Sequence, residues 1–382
     1  MRTIHPVVSR ILSRLLATAT VLAFALSACG GAPTIDPEDR ADRAREARRG
    51  TDASATITVP EAFASAMTPA DNIDSVASWT APDGRVLVFA TAKSSHRLVV
   101  YDGSTGAFVR HVGGQGTGAG QFNRPNGIAV AGDLLFVVER DNRRVQVLAL
   151  PGLEPVAQFG ATELELPYGL WVMEDGSGYV VYVTDAYMAG EDADGEDILP
   201  PLTALDRRVH RYAFDPGERG ARHLGAFGGT TAAGALRVVE SLWGDPAHDR
   251  LLVAEEDETY ANEFKVYDLG GRFTGVLVGT GVLKAQAEGI TLKSCADGRG
   301  WWIATEQGKG RTSFHLFDRA SLDYVGAVAG DTVANTDGIW LHDAPSGRFP
   351  DGVLYAVHDD QGIVAIDWTA IAGALDLPEC KR

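Results

Sequence analysis

From about residue 58 to its end, the chain is built of short apolar runs broken by Gly, Asp, Asn and Pro. Runs of this length bounded by turn residues predict β-strands, and few stretches show the period of an amphipathic helix. One pattern recurs, a polar or small residue, then Gly, then alternating apolar positions: Pro125-Asn126-Gly127-Ile128-Ala129-Val130, Pro167-Tyr168-Gly169-Leu170-Trp171-Val172, Ala287-Glu288-Gly289-Ile290-Thr291-Leu292 and Thr336-Asp337-Gly338-Ile339-Trp340-Leu341. Val239-Glu240-Ser241-Leu242-Trp243 is a degenerate copy. The copies lie about 40 to 70 residues apart, and each is followed by a second, a third and usually a fourth apolar run. Second strands are expected at 134–138, 179–184, 251–254, 301–304 and 353–357. Segment 76–113 supplies a further repeat. Four strands per repeat and six repeats predict an all-β fold, a six-bladed β-propeller. The sixth repeat lacks a fourth strand of its own, and a strand near 55–59 is expected to complete it and close the ring. Residues 190–201, acidic and glycine-rich, read as a long surface loop, either an insertion or a lid. Trp171, Trp243 and Trp340 follow strand openers and read as inter-blade packing.

Composition sharpens this picture. The 382 residues carry a formal net charge of −17, and the isoelectric point is near 4.9. That balance argues against nucleic acid and against anionic lipid as partners. It also means that an anionic substrate would need a layer of bound cation. The first residues differ from the rest: Arg2, Arg10 and Arg14 precede an apolar run that is too short for a comfortable membrane span and ends in Leu26-Ser27-Ala28-Cys29-Gly30. This resembles a bacterial lipobox, with cleavage before Cys29 and a lipid on its thiol. The expected organisation is a signal segment over 1–29, a flexible tether over 30–55 and the propeller over 56–382. The expected location is the cell envelope, at the outer membrane of a diderm bacterium, with the lipid as the sole membrane contact and the protein a monomer. In that oxidising compartment Cys295 and Cys380 are either a disulfide or two free thiols.

Candidate chemistry resides in acidic residues beside the strand openers: Glu240, Glu255-Glu256-Asp257-Glu258, Glu288, Asp331 and Asp337. Carboxylates before glycine also cap turns without binding anything. Several that share a cleft repel one another unless a hard cation sits among them, and an oxygen-rich set suits Ca²⁺. The chain has no Gly-x-Ser-x-Gly elbow, no His-rich metal motif and no Walker loop to compete with this reading.

Over about residues 235–368 the chain resembles the β-propeller phytases. Leu251-Leu252-Val253-Ala254-Glu255-Glu256-Asp257-Glu258 is similar to that family's Leu-Tyr-Ile-Ala-Glu-Glu-Asp-Glu. Ala287-Glu288-Gly289, Ala296-Asp297-Gly298-Arg299-Gly300 and Thr305-Glu306-Gln307-Gly308 follow in the family's order, and Asp331 and Asp337 keep the interval of its late aspartates. The resemblance implies calcium-dependent hydrolysis of phosphomonoesters of the 3-phytase type. Phosphate would be released from myo-inositol hexakisphosphate (phytate) by attack of a calcium-bound water. It implies that Glu240, Glu288 and Asp337, with Tyr168, form the catalytic centre, that Glu256, Asp331 and Asp74 hold further calcium, and that Lys93 and Arg140 contact phosphate.

Departures are present. Asp71-Asn72-Ile73-Asp74-Ser75 keeps only part of the family's first-blade motif, Lys93-Ser94 replaces paired lysines, Asp185-Ala186 stands where a lysine is expected and Gln286 where an aspartate is. These imply weakened phosphate affinity. Residues 116–130 with 141–147 resemble an NHL repeat, which supports a propeller and leaves its chemistry open. The alternatives are a non-catalytic NHL-like binding module on the cell envelope, or a calcium-dependent propeller of the lactonase or esterase type.

Overall fold

The computed structural model describes residues 56–195 and 197–380; the expected signal segment, the lipobox with Cys29 and the tether over 30–55 lie outside the described residues. Among the described residues no helix is long and apolar enough to cross a membrane.

Six sheets form a ring, a six-bladed β-propeller. From the axis outward, blade one is Ile73–Thr80, Val86–Ala92, Arg97–Asp102 and Phe108–Val112. Blade two is Pro125–Ala131, Leu134–Glu139, Arg144–Ala149 and Glu154–Phe159, and blade three Pro167–Asp175, Gly178–Asp185, Val209–Asp215 and Gly220–Phe227. Blade four is Leu242–Asp245, Arg250–Glu255, Glu263–Tyr267 and Phe273–Val278, and blade five Gln286–Ser294, Gly300–Gln307, Ser313–Asp318 and Tyr324–Ala329. Blade six is Ile339–His342, Val353–His358 and Gly362–Asp367, closed outside by Phe63–Ala64. Second and third strands lie between neighbouring blades and are buried on both faces, which is why they read as nearly continuous apolar runs. Outermost strands such as Phe108–Val112 are exposed and mixed in polarity.

The recurring glycine has a steric cause. At the start of each inner strand the backbones of adjacent blades nearly touch. A Cβ on Gly169 would stand 2.0 Å from the Glu240 carbonyl oxygen, one on Gly127 2.7 Å from that of Tyr168, and one on Gly289 2.6 Å from that of Asp337. The same approach carries hydrogen bonds between blades: the Gly289 N–H donates to the Asp337 carbonyl (2.9 Å) and the Gly338 N–H to the Asp74 carbonyl (3.0 Å). Beneath this layer, Val76, Ile128, Leu170, Leu242, Ile290 and Ile339 line an axial cavity of about 60 Å³. Trp243 and Trp340 also line it and meet edge to face, ring centroids 5.3 Å apart. Trp171 instead packs between blades three and four against Tyr182.

Closure differs from the expectation. The strand near 55–59 does not complete blade six. Ile57–Thr58 pairs in parallel with the outer strand of blade five, and Phe63–Ala64 pairs with Gly362–Asp367 of blade six. The Glu61 carboxylate, between the two short strands, explains the crossing: it accepts the backbone N–H groups of Asp331 (3.1 Å), Thr332 (2.9 Å) and Val333 (2.8 Å) and so pins the incoming chain over the junction of blades five and six. Residues 190–195 and 197–199 are exposed, as their composition implies. After the helix Trp368–Ala374, Cys380 is joined to Cys295 in a disulfide that ties the end of the chain to blade five.

The atom that a methyl group would meet at Gly169 is backbone and cannot swing aside. Gly169→Ala is expected to destabilise the protein by about 3 kcal/mol, measured by denaturant unfolding. Gly347→Ala, with nothing within 4 Å of the added carbon, is the control and should change little.

Candidate active site

The residue just before the crowded layer is, in the six blades, Asp74, Asn126, Tyr168, Glu240, Glu288 and Asp337. In blades one, two, three and five the pairing register shifts at this residue; in blades four and six the strand begins two residues after it. A bulge of this kind re-aims a side chain that regular pairing would send into the sheet. Six side chains from six blades therefore gather at one mouth of the axial channel.

On one side of this ring, carboxylate oxygens of Glu240, Glu256 and Glu288 lie within 4.8 Å of one another. Glu256 follows the second strand of blade four, and its Oε1 accepts the Ser241 N–H at 3.1 Å. Glu256 and Glu288 are buried. Burial, and then the neighbouring charges of Glu256, Glu240 and Asp337, push the Glu288 carboxyl well above the ordinary glutamate range, against a smaller opposing effect of Lys309. Such a group is relieved in two ways, by a proton or by a cation. Three clustered hard oxygen donors fit calcium, which takes oxygen ligands and tolerates irregular geometry.

The other side carries its own positive charge. The Lys93 ammonium, buried at the end of the second strand of blade one, stands 3.1 Å from Asp74 Oδ1 and 3.5 Å from Asp337 Oδ2. It donates to the Tyr168 hydroxyl at 3.4 Å, which in turn donates to Asp74 Oδ1 at 3.3 Å. Burial disfavours the ammonium, yet Tyr168, Asp74, Asp337 and Asp360 hold its pKa well above the usual lysine value. The Gln307 amide donates to Asp337 Oδ1, and Lys309 donates to Gln307 Oε1 at 2.9 Å. Ser75, in place of a carboxylate, donates its hydroxyl proton to Asp74 Oδ2 at 2.8 Å.

The structure therefore brings Asp74, Lys93, Tyr168, Glu240, Glu256, Glu288 and Asp337 to one channel mouth. Two of the expected residues make other contacts. The Arg140 guanidinium pairs with its neighbour Asp141 at 2.9 Å. Asp331 is exposed, its backbone held by Glu61, and it is not part of the three-glutamate group.

Sequence reasoning missed Asn126, the fully buried ring member of blade two. It also missed a repeated support. The last residue of the second strand, or its near equivalent, accepts backbone N–H groups of the loop leading into the ring. Glu139 takes that of Asn123 (3.1 Å), Asp185 those of Glu165 (2.9 Å) and Leu166 (2.7 Å), and Glu255 those of Arg237 (3.2 Å) and Val238 (3.3 Å). Glu306 takes that of Lys284 (2.7 Å), and in blade six His358 Nδ1 takes that of Ala334 (3.3 Å). Burial raises the pKa of Glu139, Asp185 and Glu255 even against these bonds. Blade one reverses the arrangement: Asp71 sits on the incoming loop and accepts from Ser95 (2.6 Å) and Arg97 (2.7 Å). The only signal in the sequence is a polar residue closing an apolar run, with no constant interval from the ring residue.

Residues 236–370 match the family model for phytase. The resemblance read from the sequence is thus shown for residues 236–370, which carry Glu240, Glu256, Glu288 and Asp337, and it supports a phytase-type hydrolase in general. No curated protein matches the chain. Among solved structures, BBS1N in complex with ARL6DN, soaked with mercury, is similar at 12% identity over 82% of this chain and 98% of that one, with a TM-score of 0.46. The hydrazine synthase of Kuenenia stuttgartiensis is similar at 12% identity over 86% and 83%, with a TM-score of 0.41. A nidogen/laminin complex is similar at 14% identity over 68% and 81%, with a TM-score of 0.43. At these scores the likenesses carry no weight for function.

The raised pKa of Glu288 has a consequence for stability. Without a cation the folded protein keeps a proton that the unfolded chain releases in the ordinary glutamate range. The stability this contributes is fully present below that range and is lost as pH rises through the folded value. In chelator, the melting temperature is expected to fall as pH rises above the ordinary glutamate range. Added Ca²⁺ should oppose the fall, and Glu288→Gln, which cannot ionise, should flatten it. A pH response identical in the variant would assign the effect to other groups.

Proposed function

We propose that this chain, phytase-like over its second half, is a calcium-dependent phosphomonoester hydrolase of the 3-phytase type that releases phosphate from phytate. The observation that carries this reading is the triangle of half-buried Glu240 with buried Glu256 and Glu288 at the channel mouth, within the segment that matches the family. Those three residues would hold calcium, with Asp337 beside them. Calcium in such a place neutralises charge on phosphate oxygens and makes a neighbouring water more acidic.

The chain's own groups have separable tasks. The bulged inner strands hold the six ring side chains, and the buried acceptors Glu139, Asp185, Glu255 and Glu306 fix the loops that deliver them. This is preorganisation: the carboxylates stand together before substrate arrives, so no reorganisation is needed during reaction. The Tyr168 hydroxyl, held between Lys93 and Asp74, would have to turn its proton away from Asp74 to donate to a phosphate oxygen. The axial tryptophans Trp243 and Trp340 line the channel below the rim. Anchoring through Cys29 at the cell envelope, the tether and a monomeric state complete the proposal.

A second reading, a calcium-stabilised binding propeller without turnover, draws support from two positions. Ala186, after the second strand of blade three, offers no charge where Lys93 stands in blade one, and Arg140 is paired with Asp141.

Phosphate release from calcium phytate decides between them. Hydrolysis should require Ca²⁺, stop in chelator and fall by at least about 100-fold in Glu288→Gln. Calcium binding without phosphate release, on phytate and on a generic phosphomonoester, would instead support the binding module.

A further inference from the structure

The ring is divided electrostatically, and the division is specific to where Lys93 points. An ammonium has three N–H donors. Lys93 faces three oxygens from three different blades: Asp74 Oδ1 of blade one at 3.1 Å, Tyr168 Oη of blade three at 3.4 Å and Asp337 Oδ2 of blade six at 3.5 Å. The lysine backbone is fixed as well, its N–H donating to the Asn72 carbonyl at 2.8 Å. The residue is 6% exposed, so the ammonium has given up its water and is solvated by these oxygens. Cross-linking hard oxygens from separate blades around a buried positive centre is what a divalent cation does in such a place.

A fourth oxygen adjoins the set. Asn126 is 0% exposed, and its amide nitrogen lies 3.5 Å from Asp74 Oδ1. Its Oδ1 has no hydrogen-bond partner among the described residues. A buried acceptor left unpaired is costly, and a carboxamide oxygen beside an aspartate is a good ligand for a hard cation.

We propose that Lys93 is a built-in cation: its ammonium fills the place between Asp74, Asp337 and Tyr168 that a divalent ion would otherwise take, so calcium binds only on the glutamate side of the ring. The proposal rests on calcium binding at Glu240, Glu256 and Glu288 as put forward above. It departs from the expectation that Lys93 contacts phosphate and that Asp74 holds calcium. It also accounts for the tolerance of Ser75 where a carboxylate was expected, because one ammonium needs less negative charge around it than a divalent ion.

Calcium stoichiometry of the full chain, measured by isothermal titration, tests this without reference to turnover. Lys93→Gln should bind one calcium more than the wild type, and Lys93→Arg should bind no more than the wild type. Asp74→Asn, in the otherwise native protein, should leave the stoichiometry unchanged, since Asp74 is engaged by lysine. No gain in Lys93→Gln, or a calcium lost in Asp74→Asn, would overturn the proposal. If Lys93→Gln does not fold even with calcium, the Asp74→Asn result decides alone. A wild type that binds no calcium, with one ion gained in Lys93→Gln, would sink the calcium-hydrolase reading and the glutamate-side binding with it, and would uphold Lys93 as the occupant of the aspartate side.

Discussion

Everything at the mouth of the channel follows from how closely six inner strands approach one axis. At the layer of Gly127, Gly169, Gly289 and Gly338 there is no room for a side chain, and carbonyls of one blade abut the backbone of the next. The strands can close the ring only if that layer is nearly bare. The residue before Gly127, Gly169 and Gly289, like Asp74 before Ser75, is out of the regular pairing at a bulge. Below the layer, apolar residues and two tryptophans line the channel. Steric crowding thus separates a polar rim from an apolar interior within two residues of chain.

Placing polar residues on that rim creates an electrostatic problem, and the protein meets it differently on its two sides. Between Asp74 and Asp337 the charge is compensated internally by Lys93. Around Glu288 it is not: Glu240 and Glu256 add to the penalty of burial, and the carboxyl holds its proton far above its usual range. The first arrangement is stable without a ligand. The second is stable only with a proton or a cation, which is the property expected of a centre built to bind one.

The rim is supported from behind. Buried acceptors at the ends of the second strands hold the loops that enter the ring, and Glu61 performs a similar task where the N-terminal segment crosses from blade five to blade six. The disulfide between Cys295 and Cys380 secures the other end of the chain on blade five. Each of these contacts is non-local, so the site depends on the closed ring rather than on any one blade.

The sequence by itself determined the architecture and much of the chemistry. Apolar runs of strand length, the glycine-bearing openers and their repetition specify six four-stranded sheets, because burial on both faces and crowding at the axis each leave a direct mark on residue type. The acidic openers Glu240, Glu288 and Asp337 were legible for the same reason, since they stand beside the glycine that the axis demands. Tertiary structure alone decided what depends on distance across blades. It gave Arg140 the partner Asp141, set the Asp331 backbone on Glu61, turned Lys93 inward onto two aspartates, brought Asn126 into the ring and sent the strand near 55–59 to blade five. Those outcomes turn on a few ångströms between residues far apart in the chain, and neither composition nor period records such distances.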